Sequence, residues 1–419
     1  MRTAAFLLTA LLLLPQGAAG YPLYGSEERG IRRLEQARLA HEGLIEGRKK
    51  VKGELLALEQ VDLRLLGGDL KLPAPDPELT KKIRGLLGDK AGRYGLSVLD
   101  LSDPSKPRYA EVNGGQKQNP GSVGKIVVAT ALFQALADTY PNDEIRRLAV
   151  LRDTVVTADD FIIRDGHKVR LWDPEAKVLT RRPLQIGDKG SLWEYLDWMM
   201  SASSNAAAAT VMKHALLLAH YGKDYPVSDA EGARFFEETP KKELGALLTR
   251  TLQEPLARSG IDLGQFRQGS LFTRTGKAKV PGTSSYATSR EMMNFMLRLE
   301  QGRIVDAFSS REIKRLLYMT ERRIRYASSP ALRDSAVYFK SGSLYSCEPE
   351  EGFKCRKYHG NKRNYMNSLA VVETPAGAPK LFYMVTLMSN VLRKNSAVDH
   401  QTLATRIHRI LEADHGVVE

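Results

Sequence analysis

This chain is poor in several things that would each have pointed to a class of protein. It has 2 cysteines in 419 residues, too few for a disulfide-built scaffold or a cysteine-rich metal module. Its 8 histidines form neither His-Glu-x-x-His nor His-x-His, so no metal and no other cofactor is expected. Gly-x-Ser-x-Gly is missing too: "KQNPGSVG" is a poor strand, and a nucleophile elbow needs a strand before its serine. No internal repeat and no low-complexity tract interrupts the chain. No zinc finger, RNP motif or basic zipper accompanies the net charge of +13, so nucleic acid is not an expected partner.

Long apolar runs are also lacking, with one exception. "MRTAAFLLTALLLLPQGAAGYP" carries Arg2, an apolar stretch from Ala4 to Leu14, and the small residues Ala18 and Gly20. That pattern predicts a secretory signal peptide over residues 1–20, cleaved after Gly20. No cysteine follows it, so a lipid anchor is not expected, and no later stretch approaches a transmembrane length. The expected location is periplasmic or secreted. Cys347 and Cys355 lie 355 − 347 = 8 positions apart, and a local disulfide suits an oxidising compartment. The surplus of 62 Lys plus Arg over 49 Asp plus Glu favours anionic neighbours, such as phospholipid surfaces and acidic envelope polymers.

What is present reads as a globular protein: 42% hydrophobic, 7% aromatic and 26% charged residues. Residues 21–75 read as an N-terminal helical segment and linker. Within it Val51, Leu55, Leu58, Val61 and Leu65 keep helical spacing. "GGDLKLPAPDP" breaks the chain, and the main domain is expected over 76–419. "DPELTKKIRGLLGD" predicts a short helix, "YGLSVLDLSDPSKPRYAEVNGG" a strand, turn and strand, and "FIIRDGHKVRLW" a small hairpin with His167 as a turn residue. Two helices around a turn follow in "SLWEYLDWMMSASSNAAAATVMKHALLLA", the first opened by a Ser191–Glu194 capping box. Helical patterns continue to about Met319. Then "AVYFKSGSLYS", "YMNSLAVVET" and "KLFYMVTLMS" read as strands, and about Val398 to Ala413 as a closing helix. The outer parts are expected to share one antiparallel sheet flanked by helices, an α/β (α+β) arrangement with a helical subdomain in the middle.

Three short stretches carry the chemistry. "NPGSVGKIVVATALFQAL" opens an apolar helix, with Lys125 one turn after Ser122. Ser122 reads either as an N-cap beside a lysine that snorkels to solvent, or as a nucleophile beside a lysine that burial neutralises. Ser203-Ser204-Asn205 falls at the turn between two helices, where serine and asparagine also serve as caps. Lys340-Ser341-Gly342 lies inside a strand, where a charge and a glycine are locally unfavourable. The glycine there marks an edge or a bulge, or lets a substrate backbone approach.

Taken in order, these are Ser-x-x-Lys, Ser-x-Asn and Lys-Ser-Gly. Over about residues 76–419 the chain resembles the superfamily of serine β-lactamases (class A) and penicillin-binding D,D-peptidases. Arg274-Thr275-Gly276 is a second partial match, in a polar segment without strand alternation. The resemblance implies a β-lactamase/transpeptidase-like fold and an acyl-enzyme on Ser122. It implies that Lys125 helps deprotonate Ser122 and that Ser203 passes a proton to the leaving nitrogen. Asn205 would hold the substrate amide and orient Lys125. Lys340, Ser341, Gly342 and Ser343 would bind substrate, with the amides of Ser122 and Ser343 as the oxyanion hole. The implied partners are peptidoglycan stem peptides or β-lactams.

The pattern departs from class A enzymes in two places. The middle residue of Ser-x-Asn is Ser204, where those enzymes usually carry Asp. No Glu-x-x-Leu-Asn follows, so the base that clears their acyl-enzyme is missing; Glu237, Glu238 and Glu254 are the nearest candidates by position. The expected function is therefore a D,D-peptidase-like serine acyl-hydrolase. The alternatives are a β-lactamase and a non-catalytic wall-binding scaffold of the same fold.

Overall fold

A computed structural model describes residues 21–417 apart from 322; the expected signal peptide lies outside the described residues. Five strands form one antiparallel sheet: β1 (Tyr94–Asp100), β2 (Arg108–Val112), β3 (Ala336–Ser346), β4 (Arg363–Thr374) and β5 (Leu381–Asn390), in the order β2-β1-β5-β4-β3. The two ends of the chain thus build a single sheet, with β3 as an edge strand. Every residue of β1 is buried, because both faces are covered. One face packs Val337, Phe339, Val372 and Val385 against Leu403 and Ile407 of the C-terminal helix Ser396–Asp414. The other packs Ala336, Tyr338 and Met384 into the helical part of the molecule. Alternation along β3 sends Lys340 to that second side, with Ala336 and Tyr338.

The helical part is centred on Lys125–Thr139 and Asn205–Tyr221. From Lys125 to Phe133 every residue is buried, as expected of a helix that is apolar all round. Leu192–Met200 packs beside them, and Ser191 with Glu194 closes the predicted capping box.

Two expectations need correction. The hairpin does not fold within 161–172. Its strands are Lys168–Asp173 and Val178–Pro183, turned by Asp173, whose Oδ1 accepts from the amides of Glu175 and Ala176 at 3.0 Å each. The second departure is residues 51–65, which are not helical. Only single 3-10 turns form, at Lys52–Glu54 and Leu58–Gln60. The amides there are committed elsewhere: Leu56 donates to the Tyr318 hydroxyl at 2.9 Å, Gly53 to the Arg333 carbonyl at 3.3 Å and Arg64 to the Glu300 carboxylate at 2.9 Å. Tertiary bonds override the local period.

The N-terminal segment is packed into the molecule. Ile31, Leu34, Leu56 and Val61 share the core of the helical part. Buried charges fix it further. Arg33 forms a two-pronged pair with Asp197, at 2.5 and 2.6 Å, and also reaches the Met319 carbonyl at 2.9 Å. Arg64 meets Glu373 at 2.6 Å, and Lys314 lies 2.9 Å from Glu373 and 2.7 Å from Glu300.

The Arg33–Asp197 pair yields a prediction. Both side chains are buried, at 3% and 1% exposure, so Arg33→Ala leaves a carboxylate buried without its guanidinium. The expected loss of stability is about 3–5 kcal/mol in urea unfolding. Arg33→Met combined with Asp197→Leu should recover much of it. A single mutant as stable as the parent would show that the pair does not hold the segment.

Candidate active site

Ser122 is delivered by a rigid approach. The segment before it is pinned by Asn367 in the middle of β4: Gln118 donates to the Asn367 side-chain oxygen at 2.9 Å, and Asn367 donates to the Asn119 carbonyl at 3.0 Å. The Asn119 side chain then accepts from the Gly121 amide at 2.9 Å. Ser122 itself sits in a single 3-10 turn, Gly121–Gly124, and the α-helix begins at Lys125. It makes no capping bond, so the N-cap reading of Ser122 does not hold; its hydroxyl accepts from Lys125 instead.

β3 presses directly on this turn. A Cβ on Gly342 would stand 2.3 Å from the Pro120 carbonyl oxygen and 2.5 Å from the Ser122 amide nitrogen. Glycine at 342 is therefore a steric requirement, and what approaches this edge strand so closely is the chain's own turn at Pro120–Val123. The contact places Ser122, Gly342 and Ser343 along one wall of a cleft of about 700 Å³.

Lys125 is the hub. It is wholly buried, and its ammonium nitrogen lies 2.9 Å from the Ser122 hydroxyl, 2.6 Å from the Ser203 carbonyl and 2.8 Å from the Asn205 side-chain oxygen. Burial lowers its pKa to about 7; Asp165 opposes that shift and Arg325 adds to it. A Phe272 ring, centred 4.9 Å away, closes another side of it. Lys340 donates to the Ser203 hydroxyl at 2.8 Å. Its pKa is held well below the ordinary lysine value by burial, then by the charges of Lys125 and Arg325. The Ser203 hydroxyl thus stands between two lysines, 3.4 Å from the first.

The capping reading of the Ser203-Ser204-Asn205 turn holds at Ser204. Ser204 is the N-cap of helix Asn205–Tyr221 and accepts from the Ala207 amide at 3.1 Å. Ser203 takes a left-handed backbone, φ +60°, which is uncommon for a residue with a side chain. The carboxylate missing from position 204 arrives from another loop. One Asp165 oxygen accepts from the Ser204 hydroxyl at 2.9 Å and from the amides of Asn205 and Ala206 at 2.8 Å each. The other oxygen lies 2.5 Å from His167 Nδ1. Burial alone would raise the Asp165 pKa, but His167 and these donors bring it down to about 2. Nothing in "RDGHKV" signals a partner 39 to 41 residues away. His167, expected as a turn residue, lies in that loop and lines the cleft.

Arg325 was also missed. It donates to the Ser341 hydroxyl at 2.6 Å, to the Ser343 hydroxyl at 3.3 Å and to the Tyr358 hydroxyl at 2.8 Å. Tyr358 follows, three residues on, the loop that the Cys347–Cys355 disulfide closes. Arg164, Ser203, Arg325 and Tyr358 all line the cleft with left-handed backbones. Such conformations gather where function constrains the chain.

The remaining candidates lie elsewhere. Glu254 is half exposed on helix Lys241–Arg258, paired with Arg258, and Glu237 and Glu238 are exposed. Arg274-Thr275-Gly276 begins a short helix, not a loop, and Thr275 donates to the Phe161 carbonyl. Asp165 and Glu321 are the acids lining the cleft among the described residues, and neither is hydrogen-bonded to Ser122 or Lys125.

Known proteins match this architecture. The family model described as the beta-lactamase enzyme family matches residues 78–409. Among solved structures, TLA-1 extended spectrum beta-lactamase shares 13% identity at a TM-score of 0.50, covering 81% of this chain and 99% of its own. A beta-lactamase from Sphaerobacter thermophilus shares 16% identity at a TM-score of 0.49, covering 81% and 98%. PBP-A shares 14% identity at 0.49, covering 82% and 100%. No helix among the described residues is long and apolar enough to cross a membrane. With the family model spanning most of its length, the chain belongs to the beta-lactamase enzyme family and is a serine hydrolase of that type.

Proposed function

We propose that this protein is an exported serine acyl-hydrolase that acts on cell-wall peptides in the manner of a D,D-peptidase, through an ester on Ser122. The observation that carries the reading is the hydrogen bond from a lysine of depressed pKa to a serine hydroxyl, with no carboxylate bonded to either group among the described residues. Lys125 in its neutral form takes the Ser122 proton as the oxygen attacks the acyl carbon. The amides of Ser122 and Ser343 receive the developing oxyanion, a term worth about 2.7–4 kcal/mol per donor. Ser203, within reach of both lysines, relays a proton to the departing nitrogen. Asn205 fixes Lys125 and takes the substrate amide.

Lys340, Ser341, Ser343 and Arg325 seat the carboxylate of the leaving residue. An anion arriving there favours the charged form of Lys340. Water then attacks the ester after the leaving amine has gone. With a β-lactam the leaving nitrogen stays tethered and obstructs that path, and Phe272 occupies one side of Lys125 where no second base stands. β-Lactams are therefore slow inhibitors in this reading, not good substrates. The apolar run before residue 20 and the disulfide support export.

Two measurements follow. Intact mass after exposure to a β-lactam should show a lasting adduct that Ser122→Ala abolishes, with little nitrocefin turnover. Losing the second base should slow clearance by about 10²–10⁴; fast multiple turnover would favour the β-lactamase alternative. The acylation rate should rise as pH passes through about 7 and level off above it, because only neutral Lys125 accepts the proton. Asp165→Asn weakens the charge that supports the ammonium form, so it should move that inflection to lower pH. It should also slow acylation, because the Ser203 turn loses an ionic acceptor. A profile that stays in place would remove Asp165 from the site's electrostatics.

A further inference from the structure

We infer that the preferred leaving amine carries two carboxylates, the second seated at the cleft mouth by Lys168, Arg181 and Lys357. This rests on the reading above, in which the Lys340–Ser341–Ser343 edge takes the first.

The cleft's own acids are already engaged. Asp165 is occupied by a helix N-terminus and His167. Glu321, at 5% exposure, is faced by Arg170 at 3.6 Å and Arg181 at 3.9 Å. The cations exceed them. Lys168 and Lys357 line the same cleft and form no ion pair among the described residues. Arg181 is 47% exposed and touches Glu321 only at the limit of pairing. Arg325 bonds to hydroxyls, not carboxylates, and its Nε is buried without a partner. One anion answers Arg325 together with Lys340. Arg164, Lys168, Arg181 and Lys357 remain as the outer cations of the lining.

Their position identifies the end of the substrate they face. Lys357 is next to Tyr358, whose hydroxyl accepts from Arg325, which donates to Ser341 and Ser343. Arg181 and its neighbour Glu321 line the same cleft. Lys357 therefore sits beyond the carboxylate seat, and Arg181 shares the cleft with it. A solvated basic surface would look different. The disulfide loop also carries acids, yet these turn to cations elsewhere: Glu350 pairs with Arg393 at 2.6 Å, and Glu348 faces Lys362 at 3.6 Å. Glu348 and Glu350 are thus engaged away from the cleft, whereas Lys357, two residues after Cys355, lines it. A cleft mouth lined by more cations than acids attracts a second anion and repels a cationic leaving group.

The test uses two thioesters of benzoyl-D-alanine, one with mercaptoacetate and one with mercaptosuccinate as leaving thiol. In each, Ser122 forms the ester, the carbon–sulfur bond breaks and the thiolate departs. The dicarboxylate should be about 5-fold better in kcat/KM at low salt, the upper range for partly exposed charge pairs. That ratio should fall toward one in a Lys168→Ala/Lys357→Ala variant and with added salt. Equal turnover of the two thioesters, or a preference that survives in the variant, overturns the second seat while leaving the acyl-hydrolase reading intact. Absence of any Ser122-dependent thiol release overturns both.

Discussion

A lysine without water is the constraint around which the molecule is arranged. Lys125 has no exposure, and a charged ammonium in that position needs fixed acceptors. The fold supplies the Ser203 carbonyl and the Asn205 side chain from one turn, and the Ser122 hydroxyl from the 3-10 turn that precedes the lysine's helix. Each of those groups must be held in turn. Asp165 secures the first turn, Asn367 secures the approach to Ser122, and β3 closes the third side. The lysine's low pKa and its contact with the serine come from the same burial. Removing the burial would give a lysine of ordinary pKa beside a serine of ordinary reactivity.

The polar residues that break local pattern were the ones legible in the sequence. A lysine at the head of an apolar helix, and Lys-Ser-Gly inside a strand, conflict with the propensities around them. Such conflicts are where functional residues show. The sheet was legible for the opposite reason, because its strands follow their pattern cleanly. Asp165 and Arg325 offered no such conflict. Each is a charged residue in a segment without periodicity, and its importance comes only from where the chain later places it. Residues 51–65 show the converse error: their apolar spacing fits a helix, but their amides find partners on Tyr318, Glu300 and Arg333. Side-chain period could not reveal where those backbone donors would go.

The N-terminal segment belongs to this logic although it lies largely outside the family match. Arg33 meets Asp197 on the helix that leads into the Ser203 turn, and Asp197 also accepts the Ser201 amide through its backbone at 2.7 Å. The segment thus braces the back of the helix whose far end presents Ser203. A buried ion pair adds little net stability over a well-packed apolar pair, but it permits far fewer alternative arrangements.

The contact at Gly342 sets a manufacturing tolerance. The spacing between the Ser122 turn and β3 is defined by a missing methyl group, so it has no room for adjustment. Residues 120–122 and 342 are far apart in the chain, yet neither can drift without a collision. Diversification of such a molecule is therefore confined to its margins. The hairpin beside Lys168, the segment around Arg325 and the loop closed by Cys347 and Cys355 can change length and charge, while the jaw between Ser122 and β3 keeps one gauge.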